Sequence, residues 1–316
     1  MSLVIAIACH LFSNQLLGVI FGQVEPAVMD NAKKYFFFSA MSYPFIALYD
    51  DGACILRAQE NSKLPMQISF VANGINVTLN LIFVWVLHLG VAGSSAATMI
   101  ARAFAMVAVL YKLRNPKMKI QLRDYSSIRP EWEEIKRILH IGVPSGIENG
   151  MFQFGKLAIQ STVSTLGTIA IAAQAMTNIL ENLNGIAAIG IGIGMMTVVG
   201  QCLGAGRKDE AIYYIKKLTA VAEIVIIASC ALVFLATKPV TILGGMEPES
   251  AKMCLYMVGW ITVVKPIVWT LAFIPAYGMR AAGDVRFSMI LSCISMWAFR
   301  VTLCIYLCRV HGFGPI

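Results

Sequence analysis

The ionisable residues that could do chemistry in this sequence are those lying inside apolar runs, where a charge is costly and is kept for binding or transport. Glu148 and Lys156 are eight residues apart, a little over two helical turns, so they share one side of a helix, and Gln160 follows at i+4. Such a set can bind a solute or shuttle charge inside a membrane cavity. It can equally be a structural pair joining neighbouring helices. Asp50 and Asp51 are adjacent and point about 100° apart, so at most one of them faces a lumen well. A carboxylate in a cavity attracts cations and can exchange protons. The alternative places both acids at the cytoplasmic boundary, paired with Arg57 or Lys63. Gln174, Asn178, Glu181, Asn182 and Asn184 gather at the start of another apolar run, as a cavity mouth or as interhelical hydrogen bonds. Arg102 and Arg300 read as structural cations between helices, and His10, Met151, Met195 and Met196 as packing residues.

No catalytic constellation accompanies these groups. The four histidines are scattered, and no HExxH, GxSxG or Walker motif is present, so the chain is not expected to be an enzyme. Gly190, Gly192 and Gly194 superficially suggest a phosphate loop. No strand precedes them and no lysine or acid sits at the required offset, so they read as small residues that let helices approach. None of the eight cysteines forms a CxxC pair, which argues for packing rather than metal or disulfide roles.

The elements that must position these residues are membrane helices. The sequence is 58% hydrophobic and only 13% charged, with mean hydropathy +0.72, whereas a soluble domain carries about 25% charged residues. The expected fold is an all-α polytopic membrane protein with about nine spans: Ser2–Phe21, Tyr35–Arg57, Met66–Leu87, Val91–Leu113, Ile138–Leu166, Asn178–Leu203, Ile212–Ala236, Met253–Met279 and Phe287–Leu307. If the loop after the fourth span is cytoplasmic, segments 57–63, 112–137, 207–217 and 280–286 place sixteen of the 25 Lys and Arg residues inside. Five lie outside, and Arg102, Lys156, Lys265 and Arg300 lie at membrane depth. The net charge of +8 is thereby assigned to cytoplasmic loops rather than to nucleic acid. The expected domains are residues 1–113 (four spans), a cytoplasmic linker 114–137 in which EWEEIKR forms a short surface helix, and 138–316 (five spans).

The halves repeat each other. Arg57-Ala58-Gln59-Glu60-Asn61-Ser62-Lys63 answers Arg280-Ala281-Ala282-Gly283-Asp284-Val285-Arg286 at an offset that Met66 and Met289 keep, and Pro44 and Pro266 nearly keep it. Duplicated bundles of this kind are a transporter signature.

The stretches SYPFIALYDDGACILRAQENSKLPM, HIGVPSGIENGMFQFGKLAIQ, GTIAIAAQAMTNI, VVGQCLGAGRKDEA and GMRAAGDVRFSMILSCISMWAFRV resemble the multidrug and toxic compound extrusion (MATE) transporters. The resemblance implies two pseudo-symmetric helix bundles of the MATE/MOP type. It also implies secondary efflux of cationic or amphipathic compounds in exchange for H⁺ or Na⁺, with no other cofactor, in a multi-pass protein of the inner (plasma) membrane, expected to be a monomer. On the family plan of twelve helices, the chain starts at the third helix and stops where the twelfth would begin, so an inactive fragment is one expectation. A lipid-linked saccharide flippase of the same superfamily is another. It would favour a strongly cationic cavity, against which Asp50, Asp51 and Glu148 weigh. The resemblance further places Phe152 where some members carry a cation-binding acid, with Glu148 one turn earlier, and leaves Lys265 without an acid in the tenth family helix. The substrate and cation candidates are therefore Asp50, Asp51, Glu148, Lys156, Gln160, Asn178, Glu181 and Asn182.

Overall fold

The computed structural model describes residues 2–21, 26–116, 120, 131–164 and 167–310, and every regular element among them is helical. The chain divides into two compact units, Met1–Arg129 and Pro130–Ile316.

The first unit opens with α1 (Ser2–Leu11) and α2 (Ser13–Phe21). The Phe12 N–H reaches Ala8 O at 3.0 Å and Phe12 O accepts from Leu16 N–H, so hydrogen bonding runs through the junction of this first span. The helix that carries the second expected span begins before its apolar stretch. α3 (Pro26–Met41) starts nine residues before Tyr35, and an i,i+4 pair between Lys34 and Asp30 at 2.6 Å helps a polar turn stay helical. α4 (Tyr43–Ala58) follows directly after Ser42. Pro44 has no N–H to donate, and the buried Ser42 hydroxyl turns back to Ser39 O at 2.7 Å, which marks the interruption. α5 (Lys63–Asn80) runs into a π-helical turn, Leu81–Val86, before α6 (Gly90–Leu113).

α6 organises this unit. Gly93, Ala97, Ala101, Ala105, Val109 and Leu113 recur every four residues and are all buried. That stripe admits α3, α4 and α5 to close range and widens into a core with Leu56, Ile68 and Ala72. The approach is tightest at Gly52, where a Cβ would lie 2.8 Å from the Val109 side chain.

The second unit begins with α7 (Trp132–Ser164), 33 residues without a break. The expected surface helix EWEEIKR is not a separate element. From Trp132 onward it is the first turns of α7, because nothing between Arg137 and Ile138 interrupts the helix. Residues 117–119 and 121–130 of the linker lie outside the described residues. α8 (Thr168–Gly204) and α9 (Lys208–Leu243) pack along their length, joined by a turn in which Gly206 takes φ +76°. Their seam uses Ala188, Met195, Val199, Ala222, Ile226 and Cys230. Of the three glycines in this part of α8, only Gly192 serves close approach, since a Cβ there would lie 2.6 Å from the Tyr277 ring. Gly190 and Gly194 have nothing within 4 Å. α10 (Pro248–Val264) passes through a π turn at Lys265–Thr270 into α11 (Leu271–Ala281). α12 (Val285–Ile294) passes through another at Ser295–Val301 into α13 (Thr302–Val310).

Six described segments are long and apolar enough to cross a bilayer: Lys63–Val86, Gly90–Leu113, Thr168–Gly204, Lys208–Leu243, Pro248–Ala281 and Val285–Tyr306. Their outward faces carry Phe70, Trp85, Leu235 and Leu243, each more than 75% exposed. Apolar surface of that extent is stable only against lipid. The fold is that of an all-α multi-pass membrane protein.

The internal repeat survives at atomic detail. Glu60 (φ +66°) and Gly283 (φ +86°) both take the left-handed conformation after a helix. Asn61 N–H donates to Leu56 O, and Asp284 N–H to Met279 O, closing matching Schellman caps. The Asn61 Oδ1, one residue before the N-cap Ser62, then accepts from Leu64 N–H, and the Asp284 Oδ1 accepts from Phe287 N–H as the N-cap of α12.

Candidate functional site

Within the second unit, α7 presents Glu148, Phe152, Lys156 and Gln160 at successive i+4 positions, and all four line cavities. α8 faces them with Gln174, Asn178, Glu181 and Asn182. The segment from α10 to α11 adds Trp260, Lys265, Trp269 and Phe273, and the segment from α12 into its π turn adds Ser292, Met296 and Arg300. Both π turns of the unit therefore sit in the wall. Such turns are frequent at functional sites because they re-aim side chains and free backbone groups. Pro266, which lacks an N–H, accounts for the first of them.

One cavity, about 610 Å³, is walled mainly by aromatic and aliphatic groups. Trp269 and Phe273 stack with centroids 5.2 Å apart, and Phe152 meets Phe273 edge-on at 5.9 Å. A second cavity of about 400 Å³ is lined by Gln153, Gln160, Gln174, Asn178 and Asn182 together with Lys156, Glu181 and Arg300. Such volumes suit a drug-sized ligand.

Glu148 is 5% exposed and is held at Oε1 by Arg280 Nη2 at 2.7 Å and Ser292 Oγ at 2.9 Å. The three other ion pairs among the described residues are exposed and local. Arg280, counted in the sequence among the loop cations, thus closes a buried pair, with its guanidinium over the Tyr277 ring at 5.4 Å. Lys156 is not the partner of Glu148; its ammonium lies over Phe152 at 5.1 Å. Lys265, which no sequence argument singled out as a ligand group, is buried. It donates to Glu181 O at 2.9 Å and lies 5.2 Å over Trp269. Arg300, read as structural, stands in the walls of both cavities. Asn184 is buried away from them, donating to Cys230 Sγ at 2.9 Å in the α8–α9 seam.

Asp50 and Asp51 belong to the first unit. Asp50 lines a separate cavity of about 330 Å³ with Tyr49, Asn73, Asn76 and Arg102, whereas Asp51 is exposed and lines none of the cavities described here. Arg57 donates to Cys54 Sγ, and its charge acts on Asp50 without closing an ion pair. Arg102 donates to Ser42 Oγ, a structural role joining α6 to the α3–α4 junction, and His10 packs edge-on against Phe37.

A ligand-sized chamber with charged groups inside a membrane-spanning helix bundle defines the class: a polytopic helical membrane protein with an internal binding cavity. The MatE family profile matches residues 1–82 and 144–306, and the chain belongs to that family. It is 24% identical over 305 residues to the Probable multidrug resistance protein NorM of Thermotoga maritima, covering 93% of this chain and 64% of that protein. It is 26% identical over 257 residues to the Probable multidrug resistance protein YpnP of Bacillus subtilis, covering 81% and 57%. Its fold matches the solved structure of a MOP superfamily transporter from Pyrococcus furiosus with a TM-score of 0.85 at 20% identity, over 99% of this chain and 70% of that one. The chain thus spans about three fifths of the length of these two curated relatives.

Proposed function

We propose that the chain acts as a secondary active efflux antiporter, exporting amphipathic small molecules across the plasma membrane in exchange for H⁺ or Na⁺. The observation that carries this reading is the chamber of the second unit, whose aromatic wall accepts an apolar body of any outline while ionisable groups stand beside it. Family membership and relatives named for multidrug resistance support it. Glu148 is committed to Arg280, so the carboxylates left for ion coupling are Glu181 and Asp50. Both line cavities, and neither forms an ion pair among the described residues. Protonation or Na⁺ binding at such a group changes the charge of its cavity and so links solute affinity to the gradient.

The test is expression of the chain in cells lacking their own efflux pumps, with a panel of aromatic amphiphiles of both charge signs. Expression should lower accumulation of at least one compound, and collapse of the proton or sodium gradient should restore it. Accumulation equal to the empty-vector control for every compound would refute the reading.

A further inference from the structure

The charges around the chamber do not balance. Glu148 and Arg280 neutralise each other. Lys265 donates to a backbone carbonyl and lies over a ring, Lys156 lies over a ring, and neither they nor Arg300 form an ion pair among the described residues. The one remaining carboxylate in the two walls is Glu181. Three cations, the buried Lys265 and the exposed Lys156 and Arg300, thus face one acid in these walls, and such an excess favours an anionic guest. The two compartments also differ in kind. The larger is aromatic, and the smaller carries five carboxamide side chains, which supply hydrogen bonds to an oxyanion without adding charge. Glu181 and Arg300 belong to both walls, and a smaller recess of about 220 Å³ between them includes Lys156 and Lys265.

We infer that this site takes an amphipathic anion. Its carboxylate, sulfonate or phosphate head lies between Lys156 and Arg300 in the carboxamide-lined compartment, and its apolar body lies against Trp260, Trp269 and Phe273. A guanidinium can grip such a head through two parallel N–H donors, which makes Arg300 the group expected to matter most. This reverses the cationic preference expected from the sequence, and it rests on reading the chamber as the substrate site.

The full chain is placed in phosphatidylcholine nanodiscs and titrated, by calorimetry, with 2-naphthylacetate and with a naphthyl-ethyl-trimethylammonium ion of the same ring system. The anion should bind about tenfold more tightly, the equivalent of one charge-assisted hydrogen bond. Arg300→Gln and Lys156→Gln should each weaken the anion by about that factor and leave the cation unchanged or stronger, while Arg300→Lys keeps most of the affinity. Monodispersity on gel filtration identifies any variant that fails to fold, and the charge preference of the parent decides the question in that case. Equal affinity for the two probes, a cation preference, or an anion affinity unmoved in folded variants would overturn the inference. Discs containing phosphatidylglycerol separate the sources of the head group: competition with the probe indicates a lipid, and its absence a soluble amphiphile. Failure of efflux with anion binding intact would refute only the transport reading, whereas export of cations that survives Arg300→Gln would refute only this one.

Discussion

Removing one member of the Glu148–Arg280 pair should cost more than removing both. Glu148 is 6% exposed at its side chain and Arg280 20%, so neither charge can be rescued fully by water. Arg280→Met leaves the carboxylate with Ser292 alone, and Oε2 is already buried without a partner, so the expected loss is about 3–5 kcal/mol, as for other broken buried pairs. Glu148→Gln keeps an acceptor for both Arg280 and Ser292 and loses only the charge, for which about 1–3 kcal/mol is expected. Glu148→Leu with Arg280→Met removes both charges and fills the space, so it should be more stable than Arg280→Met. Thermal unfolding in nanodiscs, followed by tryptophan fluorescence, ranks the variants. Losses that simply add in the double variant, or an Arg280→Met protein as stable as the parent, would show that the pair is not coupled and refute the argument.

Other outcomes follow from the packing and the caps. Gly192→Ala should lower thermal stability by about 1–3 kcal/mol through collision with Tyr277, whereas Gly190→Ala, which meets nothing within 4 Å, should be silent in the same melt. Glu60→Gly should stabilise by about 1 kcal/mol, because glycine adopts its positive φ without the penalty that a side chain incurs, and Gly283→Ala should destabilise by a similar amount. Orientation can be read with an impermeant thiol reagent on a background lacking native cysteines. Ser62→Cys, in the exposed turn between α4 and α5, should label only in opened cells, and Glu247→Cys should label in intact ones. The reverse pattern would invert the topology.

The helical, membrane-spanning character of the chain was legible because composition and run length depend only on transfer free energy. The shared helix side of Glu148, Lys156 and Gln160 was legible for a similar reason, since helical periodicity turns them the same way, toward two adjoining cavities. The partner of Glu148 was not. Arg280 lies 132 residues away and looks like one more loop cation, and only the fold brings it to the carboxylate. Helices run past the apolar stretches where polar residues stay helical, as at Asp30 and Lys34 on α3 and at Glu133 and Glu134 on α7. The aromatic wall was hidden among many lipid-facing aromatics. Its one signal was Pro266, whose missing N–H inside a span forces the irregular turn that carries Lys265 and Trp269. The small-residue stripe of α6 repeats every four residues and could have been found by counting.

The most direct test of the account is gradient-driven transport by the purified chain in proteoliposomes, with one ion gradient imposed at a time and 2-naphthylacetate as the probe. Accumulation should follow either the proton or the sodium gradient. It should fall at least tenfold in Trp269→Ala, which removes the stacked wall of the chamber, while the variant remains monodisperse. Transport that ignores both gradients, or that proceeds at the parental rate in Trp269→Ala, would contradict the assignment of the second unit's chamber as the substrate site.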